Sequence, residues 1–309
     1  MPRFSIIITC YNQRDFIKEA VDSALVQSIA DREIIVVDDG SVDGSIGLLE
    51  RYMPAITFRQ IGTNQGVAQA RNEGASIARG DFLVFLDGDD LLMPWALDVY
   101  SRVADLKNPK LILAKMHFFS GYPQLEEIGD RPRDVKIVDY ECYFGKDRGF
   151  RASASAMVID RAAFATAGEW TPGAFPVDDQ DLLFKLGCSG RTIQIVTPET
   201  TAYRVHEKNV IHDRRRLIEA SHFLLRQERK GCYPGGRRRR LARHSAIGGF
   251  AFFLLKIAWK SRFFKEGIKL LVAGWPFVIA AIIRRGLVWL TGRRPTETFR
   301  HPFGRSPSA

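Results

Sequence analysis

Cysteine is scarce in this chain. Four residues in 309, Cys10, Cys142, Cys188 and Cys232, lie far apart with no CxxC pair. That argues against a zinc knuckle or a disulfide framework and fits a reducing compartment. No GxGxxG follows the first predicted strand and no GxxxxGK[ST] occurs, which argues against a dinucleotide dehydrogenase and a P-loop enzyme. The glycine-rich, basic start of a sugar nucleotidyltransferase is also missing. The opening MPRFSIIITCYN has an apolar run too short for a signal peptide and no cleavage-like site, so no export is expected. There is no internal repeat. The longest uncharged run, LLVAGWPFVIAAII, has fourteen residues (270–283). At ~1.5 Å per residue it reaches roughly 21 Å, short of the ~30 Å hydrocarbon core.

Charge is present but divided. Residues 226–309 hold 19 Lys/Arg and 3 Asp/Glu, whereas residues 1–225 hold 26 and 32. A mildly acidic body therefore carries a strongly basic tail, a split that suits contact with a polyanion. The boundary is marked by Gly235-Gly236 and Arg237 to Arg240. Two domains are expected, 1–225 and 226–309.

Within the body, apolar runs at 4–9, 33–37, 56–61 and 81–86 read as buried strands. Helical spacing over 13–29, 43–53 and 65–79 alternates with them. Unbroken apolar strands between helices predict a Rossmann-like, largely parallel α/β sheet with helices on both faces. Residues 98–150 are hard to read. Further strands are expected at 153–159 and 193–196, and a loop entering a helix at 176–187. In such sheets ligands bind beyond the carboxyl ends of the strands. The polar clusters fall there: Thr9 to Asn12, Asp38 to Ser41, Asn64 to Gly66 and Asp87 to Asp90.

The run FLDGDD (85–90) ends a buried strand in three carboxylates. An exposed acidic turn is the plain alternative, but at the ligand edge of a sheet such a group suits a hard divalent cation bridging carboxylates and phosphates. DDQD (178–181) is a second acidic cluster, which the dipole of a helix N-terminus would also favour.

Together SIIITCYN (5–12), Gln27, EIIVVDDGSVDGS (33–45), NQGVAQARNEG (64–74), ARGDFLVFLDGDD (78–90) and DDQDLLFKL (178–186) resemble the family 2 glycosyltransferases of the GT-A fold. The likeness runs in register over roughly the first 205 residues, with Thr9 where the family often has Pro. It implies an inverting, metal-dependent transfer from a nucleotide-diphosphate sugar, with a UDP-sugar expected and dTDP donors open. By resemblance, Thr9 and Tyr11 flank the base, Asp39 accepts its imide N–H, and Arg71 contacts the nucleotide, although a surface arginine is an alternative. Asp87 contacts the ribose. Asp89 of the DXD motif holds Mn²⁺ or Mg²⁺, with Asp90 able to exchange roles. Asp179 is the general base, and Asp178 orients the acceptor or the base. One of the pair Asp38 and Asp39 can serve only as a turn and helix cap. Gly88 would let the backbone turn. His206 would reach the metal or diphosphate, or simply pack.

In the tail, Ile247, Phe250, Leu254, Ile257, Phe264, Ile268 and Leu271 recur at helical spacing among Lys256, Lys260, Arg262, Lys265 and Lys269. With Trp259, Trp275 and Trp289 they suit a peripheral or monotopic element on an anionic membrane at the cytoplasmic face. Helices packed on the body are the alternative. No nucleic-acid partner is expected. The acceptor would be a saccharide, possibly polyprenyl-phosphate-linked. A carboxylate-pair glycoside hydrolase and a non-catalytic nucleotide-sugar-binding membrane protein are the rival functions.

Overall fold

A computed structural model describes residues 1–121, 132–146, 153–207, 209, 213–291 and 296–300, leaving aside the side chains of 288–291, Trp289 among them, and of 300. The first half alternates as expected: β1 (Phe4–Cys10), α1 (Ile17–Leu25), β2 (Arg32–Asp38), α2 (Ser45–Leu49), β3 (Thr57–Gln60), α3 (Val67–Ile77) and β4 (Phe82–Asp87). Then follow β5 (Leu91–Leu92), α4 (Ala96–Lys107), β6 (Leu111–Phe119), β7 (Asp134–Tyr140), β8 (Met157–Asp160), α5 (Arg161–Ala167), α6 (Asp178–Lys185) and β9 (Thr192–Arg204). The tail contributes α7 (Arg214–Arg229), α8 (Arg240–Lys260), α9 (Phe264–Thr291) and β10 (Glu297–Arg300).

Among the described residues one sheet runs β10-β7-β9-β6-β8-β4-β1-β2-β3, with β5 beside β9. The parallel arrangement holds for β3-β2-β1-β4. Beyond β4 the sheet is mixed, because β8 enters antiparallel between β4 and β6, and β7 and β10 pair antiparallel at the far edge. Strands β6 and β7 arise from the stretch whose sequence is hard to read, and β9 is far longer than the four-residue run at 193–196 that signals it.

The period-two geometry of a strand divides the core into two layers. Along β1, Ile6 and Ile8 face α1 and α4, while Ile7 joins Val37, Leu83 and Phe85 on the other face, beneath α3 and α6. That second layer continues without a break into the tail through Phe144, Phe184, Leu225, Tyr233, Ile247 and Phe277. The helical layer starts at Arg214 and packs on the body. Its crossing point is Gly248, where an added Cβ would lie 1.8 Å from the Phe277 carbonyl oxygen. After α9 the chain returns to the body and pairs β10 with β7.

Helix α9 runs unbroken through Pro276, so the tail is not too short to cross a bilayer; α8 and α9 both have the length and composition to do so. Against crossing stand their packing on the body and the pinned strand beyond them.

Candidate active site

The parallel strands end side by side. Thr9 pairs with Val37 on one side and Asp87 on the other, and Cys10 pairs with Asp38, so three loops open at one edge. Asn12 joins the first two: its N–H donates to Ser41 Oγ and its Oδ1 accepts from the Val42 N–H. Asp38 is the turn-former of the acidic pair, its Oδ2 accepting the Gly40 and Ser41 N–H groups. Asp39 is buried and accepts the N–H groups of Gln65 and Gly66 at 2.8 Å each, tying β2 to the entry of α3. Each carboxylate oxygen keeps a second lone pair. Tyr11 lies exposed at the rim.

The acidic turn after β4 is held against β1. The Gly88 N–H donates to the Thr9 carbonyl, and a Cβ there would lie 2.2 Å from Gln13 Oε1 and 2.7 Å from Thr9 O. Close approach, rather than freedom to turn, is what requires glycine at this position. The three carboxylates part ways beyond it. Asp90 is 1% exposed and accepts the Arg204 N–H, so it is turned into the protein. Asp89 faces the cleft, with Oδ2 2.9 Å from His206 Nε2. Burial and the charge of Asp87 raise the Asp89 carboxyl above its ordinary value, against the pull of His206. Burial and both neighbouring carboxylates push Asp90 well above it. Among the described residues no three His, Cys, Asp or Glu side chains form a ready metal cluster. Asp89 and His206 would offer a carboxylate oxygen and a ring nitrogen to a divalent ion, which would supply positive charge beside a phosphate group.

Arg71 is not a surface residue. Its side chain is 5% exposed and lies 4.4 Å from the centre of the Trp170 ring. Nη2 donates to Asp87 Oδ1 at 2.7 Å and Nη1 to Asp178 Oδ2 at 2.8 Å, so one guanidinium joins the two acidic clusters. Burial alone would lower its pKa, but Asp87, Asp178 and Asp179 outweigh that and raise it. On α3, Arg71 faces inward with Ala70 and Gly74, while Ile77 is exposed.

Asp178 is buried and spent on Arg71; burial still raises its carboxyl. Asp179 is freer, with Oδ1 3.9 Å from Arg71 Nη1, buried and without a hydrogen bond. Burial and the adjacent Asp178 charge push the Asp179 carboxyl well above the carboxylate range. That is the condition of a general base. Asp181 points the other way, accepting from Thr171 Oγ1 at 2.6 Å and from the Tyr233 hydroxyl at 2.8 Å.

Several supports are not apparent in the sequence. The buried Arg204 donates to the Asp89 carbonyl, pairs with Glu19 and lies over the rings of Phe16 and Phe119. Phe16 stacks on His206 with ring centres 4.9 Å apart, and the Asn209 side chain accepts the His206 N–H at 2.5 Å. Ser155 Oγ accepts the Asp87 N–H. The placement of Arg204 two positions before His206 in YRVH is the one available signal for this group.

A family model described as glycosyl transferase family 2 matches residues 5–121. Over 234 residues the chain is 28% identical to the putative glycosyltransferase EpsH of Bacillus subtilis, covering 72% of this chain and 67% of that protein. It spans only 33%, 27% and 38% of the length of three other curated relatives it matches. Among solved structures, S. aureus TarS 1-349 in complex with UDP-GlcNAc has a similar fold, with a TM-score of 0.65 at 18% identity over 91% of this chain and 82% of that one. The mannosyltransferase PcManGT of Pyrobaculum calidifontis, solved with GDP-Man and Mn²⁺, gives 0.51 at 17% identity over 94% and 88%. The motifs in register, the family model over residues 5–121 and the sheet of matching form together support a family 2 glycosyltransferase, and the chain has the GT-A fold.

Proposed function

We propose that the protein is an inverting, metal-dependent glycosyltransferase that moves a sugar from a UDP-sugar to a hydroxyl of a saccharide acceptor, lipid-linked at the cytoplasmic face of the inner membrane. The observation that carries this reading is Arg71. One buried guanidinium holds apart two carboxylate groups from distant parts of the chain, one suited to the donor diphosphate and one to the acceptor. The neighbours solved with UDP-GlcNAc and GDP-Man support a nucleotide-sugar donor, and the latter's Mn²⁺ supports a metal.

In this mechanism Asp89 and His206 would hold Mn²⁺ or Mg²⁺, which supplies charge neutralisation at the diphosphate. Asp90 supports the turn from beneath. Thr9, Tyr11 and Asp39 line the base pocket, Asp39 accepting the imide N–H through a free lone pair, and Asp87 takes the ribose. Arg71 reaches the nucleotide only through Asp87. Asp179 removes the proton from the acceptor hydroxyl as that oxygen attacks the anomeric carbon. Burial and, after it, the charge of Asp178 locked by Arg71 keep the Asp179 carboxyl raised.

The exposed apolar residues Ile268, Val272, Trp275, Ile279 and Ile282 form a stripe on α9 at helical spacing. Lys265, Lys269 and Arg285 are exposed beside it. Basic residues flanking such a stripe suit a helix lying in the headgroup region.

The test is a thermal-shift titration with UDP, GDP and UDP-sugars, with and without Mn²⁺, followed by turnover. A metal-dependent shift with UDP that exceeds that with GDP is expected. Ligand held at ~100 times its dissociation constant stabilises by about 2.7 kcal/mol. Equal shifts without metal, or free sugar released faster than it is transferred, would reject the reading.

A further inference from the structure

The ends of α7 and α8 and the middle of α9 enclose a pocket of about 380 Å³. Its polar wall is Glu228, Arg229, Arg240, Arg243 and His244. Glu228 is fully used: Arg243 Nε donates to both its oxygens at 2.8 and 2.7 Å, and His244 Nε2 lies 3.0 Å from Oε1. Arg243 also donates to the Pro234 and Gly236 carbonyls, so it is a structural group. Arg229 gives Nη2 to the Ala273 carbonyl of α9 at 2.6 Å. Arg240 is exposed and makes no side-chain hydrogen bond or ion pair among the described residues.

The pocket wall thus carries three guanidinium groups and one carboxylate, leaving a surplus of positive charge. The sign is wrong for the backbone as well. Helix α8 begins at Arg240 with no acidic residue in its first turn, although a helix N-terminus favours negative charge. An anion from outside the chain answers both imbalances.

The remaining wall says which anion. Pro276 and Phe277 close the pocket on the α9 side. Pro276 borders the exposed stripe, four residues from Val272 and beside Trp275, which are 71% and 56% exposed. A ligand seated here meets arginines at one end and an apolar helix face at the other. We propose that this pocket holds the headgroup phosphate of an anionic membrane lipid, with the acyl chains along α9. The site rests on the membrane reading above and gives it a specific ligand: it would fix the rotation of the hairpin on the bilayer, which a diffuse basic surface cannot.

The test uses the full chain and two probes. In calorimetric titration, a soluble short-chain phosphatidic acid below its micellar concentration should bind at one molecule per chain, more tightly than inorganic phosphate. Arg240→Gln should weaken it about fivefold, as expected for loss of one basic group at an anionic lipid. Lys265→Gln, on the same hairpin but outside the pocket, should not. In sedimentation, wild type should bind phosphatidic acid vesicles over phosphatidylcholine vesicles. No short-chain binding, equal loss in both variants, or inorganic phosphate binding as tightly as the lipid would overturn the pocket. Absence of vesicle binding with one-to-one short-chain binding intact would instead overturn the membrane reading and, with it, the pocket's role on a bilayer.

Discussion

The active-site cleft and the tail pocket are opposites in charge. In the cleft, three aspartates surround one buried arginine; in the tail, an arginine and a histidine hold one buried glutamate, with Arg229 and Arg240 on the same pocket wall. In both, the minority charge is fully paired and the majority is in surplus. The surplus has the same physical reading in each place. Like charges brought together at low solvent exposure raise the free energy of the unliganded fold, and a ligand of opposite sign relieves it. Under the proposed function, body and tail would each serve a partner, a cation carrying a diphosphate in one and an anionic surface in the other.

The comparison breaks most decisively in the cleft. Asp89→Ala should remove donor turnover altogether while leaving the melting temperature nearly unchanged, and excess EDTA should do the same to wild type. Retained activity in either experiment would mean that the surplus of acid is not there for a metal.

Asp179→Asn should come next, with a rate loss of ~10²–10⁴-fold and donor binding intact. The pH dependence has a definite sign. A base must be ionised to act, so activity falls as pH drops through the Asp179 pKa, and that limb should lie well above ordinary carboxylate values because burial and Asp178 raise it. Stability moves the other way. A carboxyl whose folded pKa is raised binds its proton more tightly in the folded state, so ionising it destabilises the protein as pH climbs from the unfolded to the folded value. Asp179→Asn should therefore melt higher than wild type at neutral pH, with the gain vanishing below the ordinary carboxylate range. A slower but less stable variant would remove Asp179 from this role and point to Asp178.

How much of this was legible in the sequence follows the same division. Strands β1, β2 and β4 announce themselves because they are buried on both faces and apolar throughout. Their acids stand out because a carboxylate has little reason to end such a run. The mixed half is obscure for a physical reason: β7 alternates exposed and buried residues, and β9 carries threonines and Glu199, so neither has a continuous apolar signature. The inward turn of Arg71 was hidden too, since an arginine on an amphipathic helix reads as surface until three distant carboxylates are known to lie beneath it. In the tail, helical spacing was visible but its partner was not. Spacing reports that a face is apolar, not whether Phe144, a neighbouring helix or a bilayer covers it. The uncharged run ends at Lys269 and Arg284, whereas α9 continues through both, so the length of the run understates that of the helix.

A change in the tail should leave the cleft intact and sharpen the contrast. Gly248→Ala places a methyl group 1.8 Å from the Phe277 carbonyl oxygen, with backbone on both sides and no flexible atom to yield. Overpacking of this kind costs roughly 1–3 kcal/mol. The variant should melt earlier and bind vesicles less well, yet show the same UDP-dependent shift, measured relative to its own unliganded melting point. A lost nucleotide shift would mean that the two regions do not stand apart.

The smallest expected effect lies at the seam between them. Tyr233, in the turn between α7 and α8, is 4% exposed, donates its hydroxyl to Asp181 Oδ1, and sets its ring edge-on to Phe184 at 5.4 Å. Asp181 shares α6 with Asp178 and Asp179, so this one bond links the tail to the helix that carries the proposed base. Tyr233→Phe removes the hydroxyl and keeps the ring. Thr171 still serves the other oxygen of Asp181, so the carboxylate is left half-satisfied rather than bare. A hydrogen bond to a charged group contributes about 1.5–3 kcal/mol, and the lower end is expected here because Thr171 and Lys185 remain at the other oxygen. If the seam only glues tail to body, chemical denaturation should register that loss while kcat, KM for acceptor and the pH profile stay fixed. If it also sets the aim of α6, the acid limb of the pH profile should shift with Tyr233→Phe, because the surroundings that raise the Asp179 pKa will have moved. The position of that limb, measured beside that of wild type, decides whether body and tail are coupled through the base or merely joined.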